Sequence, residues 1–151
     1  MKLVAWITEA GWEACVDAAR RLRPDEVVFI HVAEVELPGP RGRRHQQVLQ
    51  RMDALAAEAA RALLIDAEER LTGATAADRV AAASRGEPYT RVRKVAAKGH
   101  PETVVMDAIA DADVLVLTRD NLEPGPHSIG HATRYVLDHA PCTVVLAWAP
   151  E

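Results

Sequence analysis

An α/β fold, one five-stranded parallel sheet with helices on both faces, is predicted by three observations on this 151-residue chain. Short apolar runs of strand length recur along it, segments with apolar residues at helical spacing separate them, and Gly and Pro cluster at the junctions. Regular alternation of this kind implies parallel strands joined by right-handed crossovers. A chain of this length is expected to form one domain, residues 1–151, burying about two-thirds of its unfolded surface.

Lys2 to Ile7 forms the first apolar strand, and Gly11 to Leu22 carries Trp12, Cys15, Val16, Ala19 and Leu22 at helical spacing before Pro24 ends the helix. Glu26 to Val32 is the second strand, a β-branched and aromatic run broken only by His31. Pro38, Gly39, Pro40 and Gly42 mark a loop over Glu34 to Gly42. Val48, Met52, Leu55, Ala59 and Leu63 then announce a long helix reaching Leu71. Residues 72–88 are the least legible; their Ala-rich patch fits one further short helix. Arg91 to Ala97 alternates Val92 and Val95 with basic residues, as expected near a sheet edge. Gly99-His100-Pro101-Glu102 turns into a helix with Val104, Val105, Ala108 and Ile109, Pro101 fitting the first turn, where its missing N–H costs nothing. Asp113 to Thr118 holds the continuous apolar run Val114 to Leu117, the fourth strand. Arg119 to His127 is a loop with Pro124, Gly125 and Pro126, and Ser128 is the expected N-cap of a helix reaching His139. Cys142 to Trp148 closes the sheet.

Lys and Arg total 18 against 22 Asp and Glu, a net charge of −4 with both signs interspersed. This speaks against a general nucleic-acid or acidic-membrane binder. Cys15 and Cys142 follow no ligand or redox spacing and are read as small buried apolar residues, as suits a reducing compartment. No run approaches the ~20 apolar residues of a membrane span, and Met1-Lys2-Leu3 leads straight into a strand. A soluble cytoplasmic protein is expected.

Four stretches carry a resemblance to a known family: the strand Val27 to Val32, the turn Gly99 to Glu102, the strand Ala112 to Leu117, and Gly130 followed by Arg134 to Leu146. Over essentially its full length the chain resembles the universal stress proteins. The resemblance implies a Rossmann-like sheet of order 3-2-1-4-5, commonly in a dimer. Some members of that family bind ATP, through a loop G-x2-G-x9-G followed by Ser or Thr that begins at the end of the fourth strand. Here Thr118 and Asn121 stand at the first two glycines, Gly130 comes one residue early, and His131 replaces the hydroxyl residue. Ile7 and Thr8 stand where an Asp of the ATP-binding members contacts the nucleotide. A side chain in place of glycine blocks close backbone approach to phosphate.

The candidate nucleotide- or anion-binding residues are therefore Thr8, Thr118, Arg119, Gly130 and His131. Arg119, at the carboxyl end of the fourth strand, is placed to pair bidentately with a phosphate. His127 and His131, at an i, i+4 interval, share a face that suits a metal, but no third ligand is evident, and Asp120 or His139 could join only if the fold brought them near; no metal is expected. Arg41, Arg43, Arg44 and His45 form a basic cluster. Trp6 and Trp148, at the ends of the first and last strands, are read as core or interface residues rather than stacking platforms.

No nucleophile elbow, P-loop or zinc-hydrolase motif is present, so no catalytic residue is assigned. A regulatory or binding protein without turnover is expected, its ligand ATP or another phosphate-bearing molecule if it has one, with no cofactor required. A nucleotide or phosphate-ester hydrolase using the same crevice, and a ligand-free docking module, are the other readings. A homodimer through the last strand is expected, because an apolar edge strand tends to acquire a partner.

Overall fold

The computed structural model describes residues 1–34, 42–121 and 123–148. Five strands, β1 (Lys2–Trp6), β2 (Glu26–Ala33), β3 (Arg91–Lys98), β4 (Val114–Thr118) and β5 (Thr143–Ala147), form one parallel sheet of order β3-β2-β1-β4-β5. The helices between them are α1 (Trp12–Leu22), α2 (Arg43–Thr72), α3 (Ala76–Ser84), α4 (Pro101–Ala108) and α5 (His131–His139). The expected fold and strand order are thus found. The loop expected over Glu34 to Gly42 falls, from residue 35 to residue 41, outside the described residues, as does Arg41 of the basic cluster. No helix among the described residues is long and apolar enough to cross a membrane.

Side chains alternate across a strand, so a strand buried on both faces must be apolar throughout. On one face Leu3, Ala5, Ile7, Val27, Phe29, Val114 and Val116 pack with Ala14, Cys15, Val16 and Ala19 of α1 and with Leu64, Ala67 and Leu71 of α2. On the other, Val4, Trp6, Val28, Ile30, Leu115 and Leu117 pack with Val105, Ile109 and Val136 from the α4 and α5 side. Trp6 is a core residue, as expected. Cys15 is fully buried, and desolvation pushes its thiol pKa up; Cys142 is half-buried, and both are free. β3 alternates exposed and half-buried residues, as an edge strand should.

The segment from residue 72 to 88 resolves into α3. Its start is a capping box, in which the Thr75 hydroxyl accepts from the Asp78 N–H at 3.3 Å and the Asp78 carboxylate accepts from the Thr75 N–H at 3.1 Å. α3 buries no side chain of its own. Charge holds it instead. Buried Glu68 of α2 accepts from Arg79 of α3 at 2.5 Å and from Lys94 of β3, while Arg79 also donates to the Ala74 carbonyl at 3.2 Å. One carboxylate thereby ties two helices to an edge strand.

Two expectations about helices are corrected. Ser128 is not the N-cap of α5, which begins three residues later with Gly130 as N-cap. The Ser128 hydroxyl donates to the Gly125 carbonyl at 2.8 Å, closing the preceding turn instead. In α2 the stripe that announced the helix is not the buried one: burial runs through Ala60, Leu64, Ala67, Glu68 and Leu71, leaving Val48, Met52 and Leu55 exposed.

Candidate functional site

β1 and β4 are adjacent, but the chain leaves β1 toward β2 on one side and leaves β4 toward β5 on the other. Such a reversal opens a crevice at the carboxyl ends of the two strands, the usual ligand position in open α/β sheets. The β1–β4 register, Ala5 opposite Val116, carries Thr8 and Thr118 to this mouth, where their hydroxyls lie 3.4 Å apart. Thr118 is buried and fills the space over α1. A Cβ on Gly11, the N-cap of α1, would lie 2.7 Å from the Thr118 Oγ1, so Gly11 is required by its neighbour rather than by a ligand.

Arg119 is held from two sides. The β4–β5 register pairs Thr118 with Ala147 and so sets Arg119 beside Trp148, whose ring centroid lies 3.5 Å from the guanidinium carbon. Its Nη1 donates to the Ser128 Oγ at 2.6 Å, and its Nε is buried with no hydrogen-bond partner among the described residues. Trp148 is 39 % exposed, so it is not a core residue, and the chain's own arginine stacks over its ring.

At the start of α5 the partner of the helix is already present. The Asp120 carboxylate accepts from the Gly130 N–H and, at 3.0 Å, from the Thr133 hydroxyl. The Asp120 and Asn121 N–H groups both donate to the Ser128 carbonyl, at 2.9 and 3.3 Å, which folds the loop back so that this carboxylate reaches the helix. A helix N-terminus concentrates unsatisfied N–H groups and partial positive charge, and an anion there is stabilised by ~0.3–1 kcal/mol. Asp120 supplies that anion. A Cβ on Gly130 would come within 3.2 Å of the Asp120 Oδ2, so the one surviving loop glycine makes room for this carboxylate.

Of the five residues expected at the site, Thr8 and Thr118 meet at 3.4 Å, Arg119 follows Thr118 and donates to Ser128, and Gly130 is tied to the neighbouring Asp120, while His131 opens α5 with an exposed side chain. His127 is exposed too, and among the described residues no group of three or more His, Cys, Asp or Glu is placed to hold a metal ion. His139 is occupied elsewhere, its ring stacked on Tyr135 at 4.1 Å and its Nδ1 against the Tyr135 carbonyl at 2.8 Å. Sequence reasoning weighed Asp120 only as a metal ligand and missed its contact with Gly130. It also missed His31, whose Nδ1 donates to the Ile7 carbonyl at 2.8 Å and braces the crevice floor. For Asp120 the available signal was an acidic residue two positions beyond a buried strand, ten residues before a glycine N-cap.

The fold is a doubly wound α/β sheet, and the N-terminus of α5 beside its β1–β4 crevice is met from within by the Asp120 carboxylate. The chain belongs to the universal stress protein family, whose model matches residues 8–147. Among solved structures it is similar to the universal stress protein UspA from Lactobacillus plantarum, with 20% identity, a TM-score of 0.62, and 97% of each chain covered. It is likewise similar to a universal stress protein in complex with cAMP, at 12% identity and a TM-score of 0.56, covering 98% of this chain and 96% of that one. A family protein from Arabidopsis thaliana with AMP bound is 13% identical, with a TM-score of 0.51, covering 99% of this chain and 92% of that one. At these identities the likeness concerns the fold. No curated protein matches the sequence.

Proposed function

We propose that the chain is a cytoplasmic regulatory or binding protein of the universal stress type, without turnover, which does not hold ATP in the manner of the glycine-loop members. The Asp120 carboxylate on the Gly130 N–H carries this reading, because it places a negative charge where the phosphates of a nucleotide would approach. Thr118 and Asn121 in place of glycine, and Thr8 in place of a carboxylate, add bulk and remove contacts. Each lost charge-assisted hydrogen bond costs about 1.5–3 kcal/mol, or roughly ten- to a hundredfold in affinity. Titration calorimetry with ATP, with and without magnesium, is expected to give no saturable binding in the micromolar range. A dissociation constant of a few micromolar or tighter would overturn the proposal. The second reading, a nucleotide-binding stress protein with weak hydrolase activity, is favoured by the relatives that carry AMP and cAMP, and the same titration decides between the two.

The protein is further proposed to be a homodimer through β5. This strand ends the sheet, and Val144, Val145 and Leu146 are only partly buried on it. Replacing Val145 by Lys is expected to yield monomers in sedimentation. Val145 packs on the α1–α2 core and Val144 on the opposite one, so the companion variant Val144→Pro, at a position whose N–H is turned away from β4 by alternation, is read together with the fold of both variants by circular dichroism. A wild-type protein that loses no mass in either variant would refute the β5 interface.

A further inference from the structure

The first half of α2 has a second apolar face. Val48, Met52 and Leu55 are 49, 60 and 66 % exposed, and with exposed Ala59 they recur at steps of four, three and four residues. That is the spacing of a coiled-coil seam. At 100° per residue the stripe is turned roughly 120° from the line of Ala60, Leu64 and Ala67 that meets the core, so the sheet cannot cover it.

We propose that this stripe packs against α2 of a second copy of the chain, with the two helices antiparallel. Charge selects both occupant and direction. Arg51 and Glu58 are exposed on one flank of the stripe, and neither has an ion-pair partner among the described residues. Antiparallel pairing stacks Met52 on the second copy's Leu55 and Val48 on its Ala59. In that register Arg51 faces the second copy's Glu58, and the two-fold axis repeats the contact. Parallel pairing would instead set Arg51 against Ala56 and Glu58 against Leu63, leaving both charges unmatched. The symmetric solution satisfies every apolar and charged position on the stripe with a single sequence, as an isologous interface requires. The stripe is separate from β5, which lies at the other edge of the sheet from β3, against which α2 packs.

Sedimentation equilibrium of the full chain at micromolar concentrations tests the contact. Leu55→Lys is expected to lower the mass by one association step. Arg51→Glu and Glu58→Arg, made singly, each turn two attractive contacts into repulsive ones and should raise the dissociation constant of that step about tenfold. The double exchange Arg51→Glu/Glu58→Arg should restore it. All these side chains are exposed in the single chain, so circular dichroism spectra are expected to stay unchanged and to show that the variants fold. Val145→Lys should leave this step in place, which separates it from association through β5. An unchanged mass for Leu55→Lys, single exchanges without effect, or a double exchange that fails to restore the wild-type mass would each overturn the proposal.

Discussion

Glu68→Ala is expected to destabilise the protein by about 3 kcal/mol, lowering the melting temperature by roughly 6–12 °C. The Glu68 side chain is 8 % exposed and is shared by Arg79 and Lys94, whose side chains are 16 and 35 % exposed. Removing the carboxylate strands two partly buried cations and opens a cavity at the junction of α2, α3 and β3. Breaking a fully buried ion pair costs about 3–5 kcal/mol; partial solvent access to the cations puts this one at the lower end. α3 has no buried side chain to hold it in place, so the loss should appear there first, as faster amide exchange over Ala76–Ser84. Urea denaturation gives the total. A loss under about 1 kcal/mol would mean that the triad is no stronger than a surface ion pair.

Gly11→Ala is expected to cost about 2 kcal/mol, and most of that cost should vanish when Thr118 is replaced by Gly. The new Cβ would sit 2.7 Å from the Thr118 Oγ1 and 2.9 Å from its Cβ, and Thr118 is buried between β4 and α1 with no room to withdraw. Any change in the capping of α1 is common to both backgrounds and cancels in a double-mutant cycle, which isolates the steric term. Additivity within about 0.5 kcal/mol would show that α1 shifts to accommodate the methyl group. The pair has a functional meaning as well. A side chain at residue 118 is tolerated only because residue 11 has none, so the departure from the glycine loop at one position is matched across the crevice.

The sheet was legible because burial on both faces writes itself as continuous apolar runs, as in Val27 to Ile30 and Val114 to Leu117, and strand order followed from the family resemblance. Helix α2 was legible as a helix but not in its orientation. Val48, Met52 and Leu55 have the spacing of a buried stripe, whereas the residues that meet the core include Ala60, Ala67 and the carboxylate Glu68, which hydropathy alone would not choose. The start of α5 was misplaced because Ser128 has the composition of an N-cap while the capping charge comes from Asp120, ten residues before Gly130 in the chain. Arg119 was singled out from its position at a strand end. Its attachment to Trp148 depends on register between β4 and β5, which no local pattern encodes.

The contact between Asp120 and the α5 N-terminus gives that helix end its own tethered anion. A free anion must displace a carboxylate that never diffuses away, so its apparent affinity is multiplied by the fraction of time the carboxylate is undocked. If the tether keeps it docked about 99 % of the time, an external phosphate binds about a hundredfold more weakly than to the bare helix end. Selectivity then depends less on how well a ligand fits than on whether it can open the Ser128 loop that holds Asp120 in place. Pulling this loop outward would bare the first N–H groups of α5 without touching them.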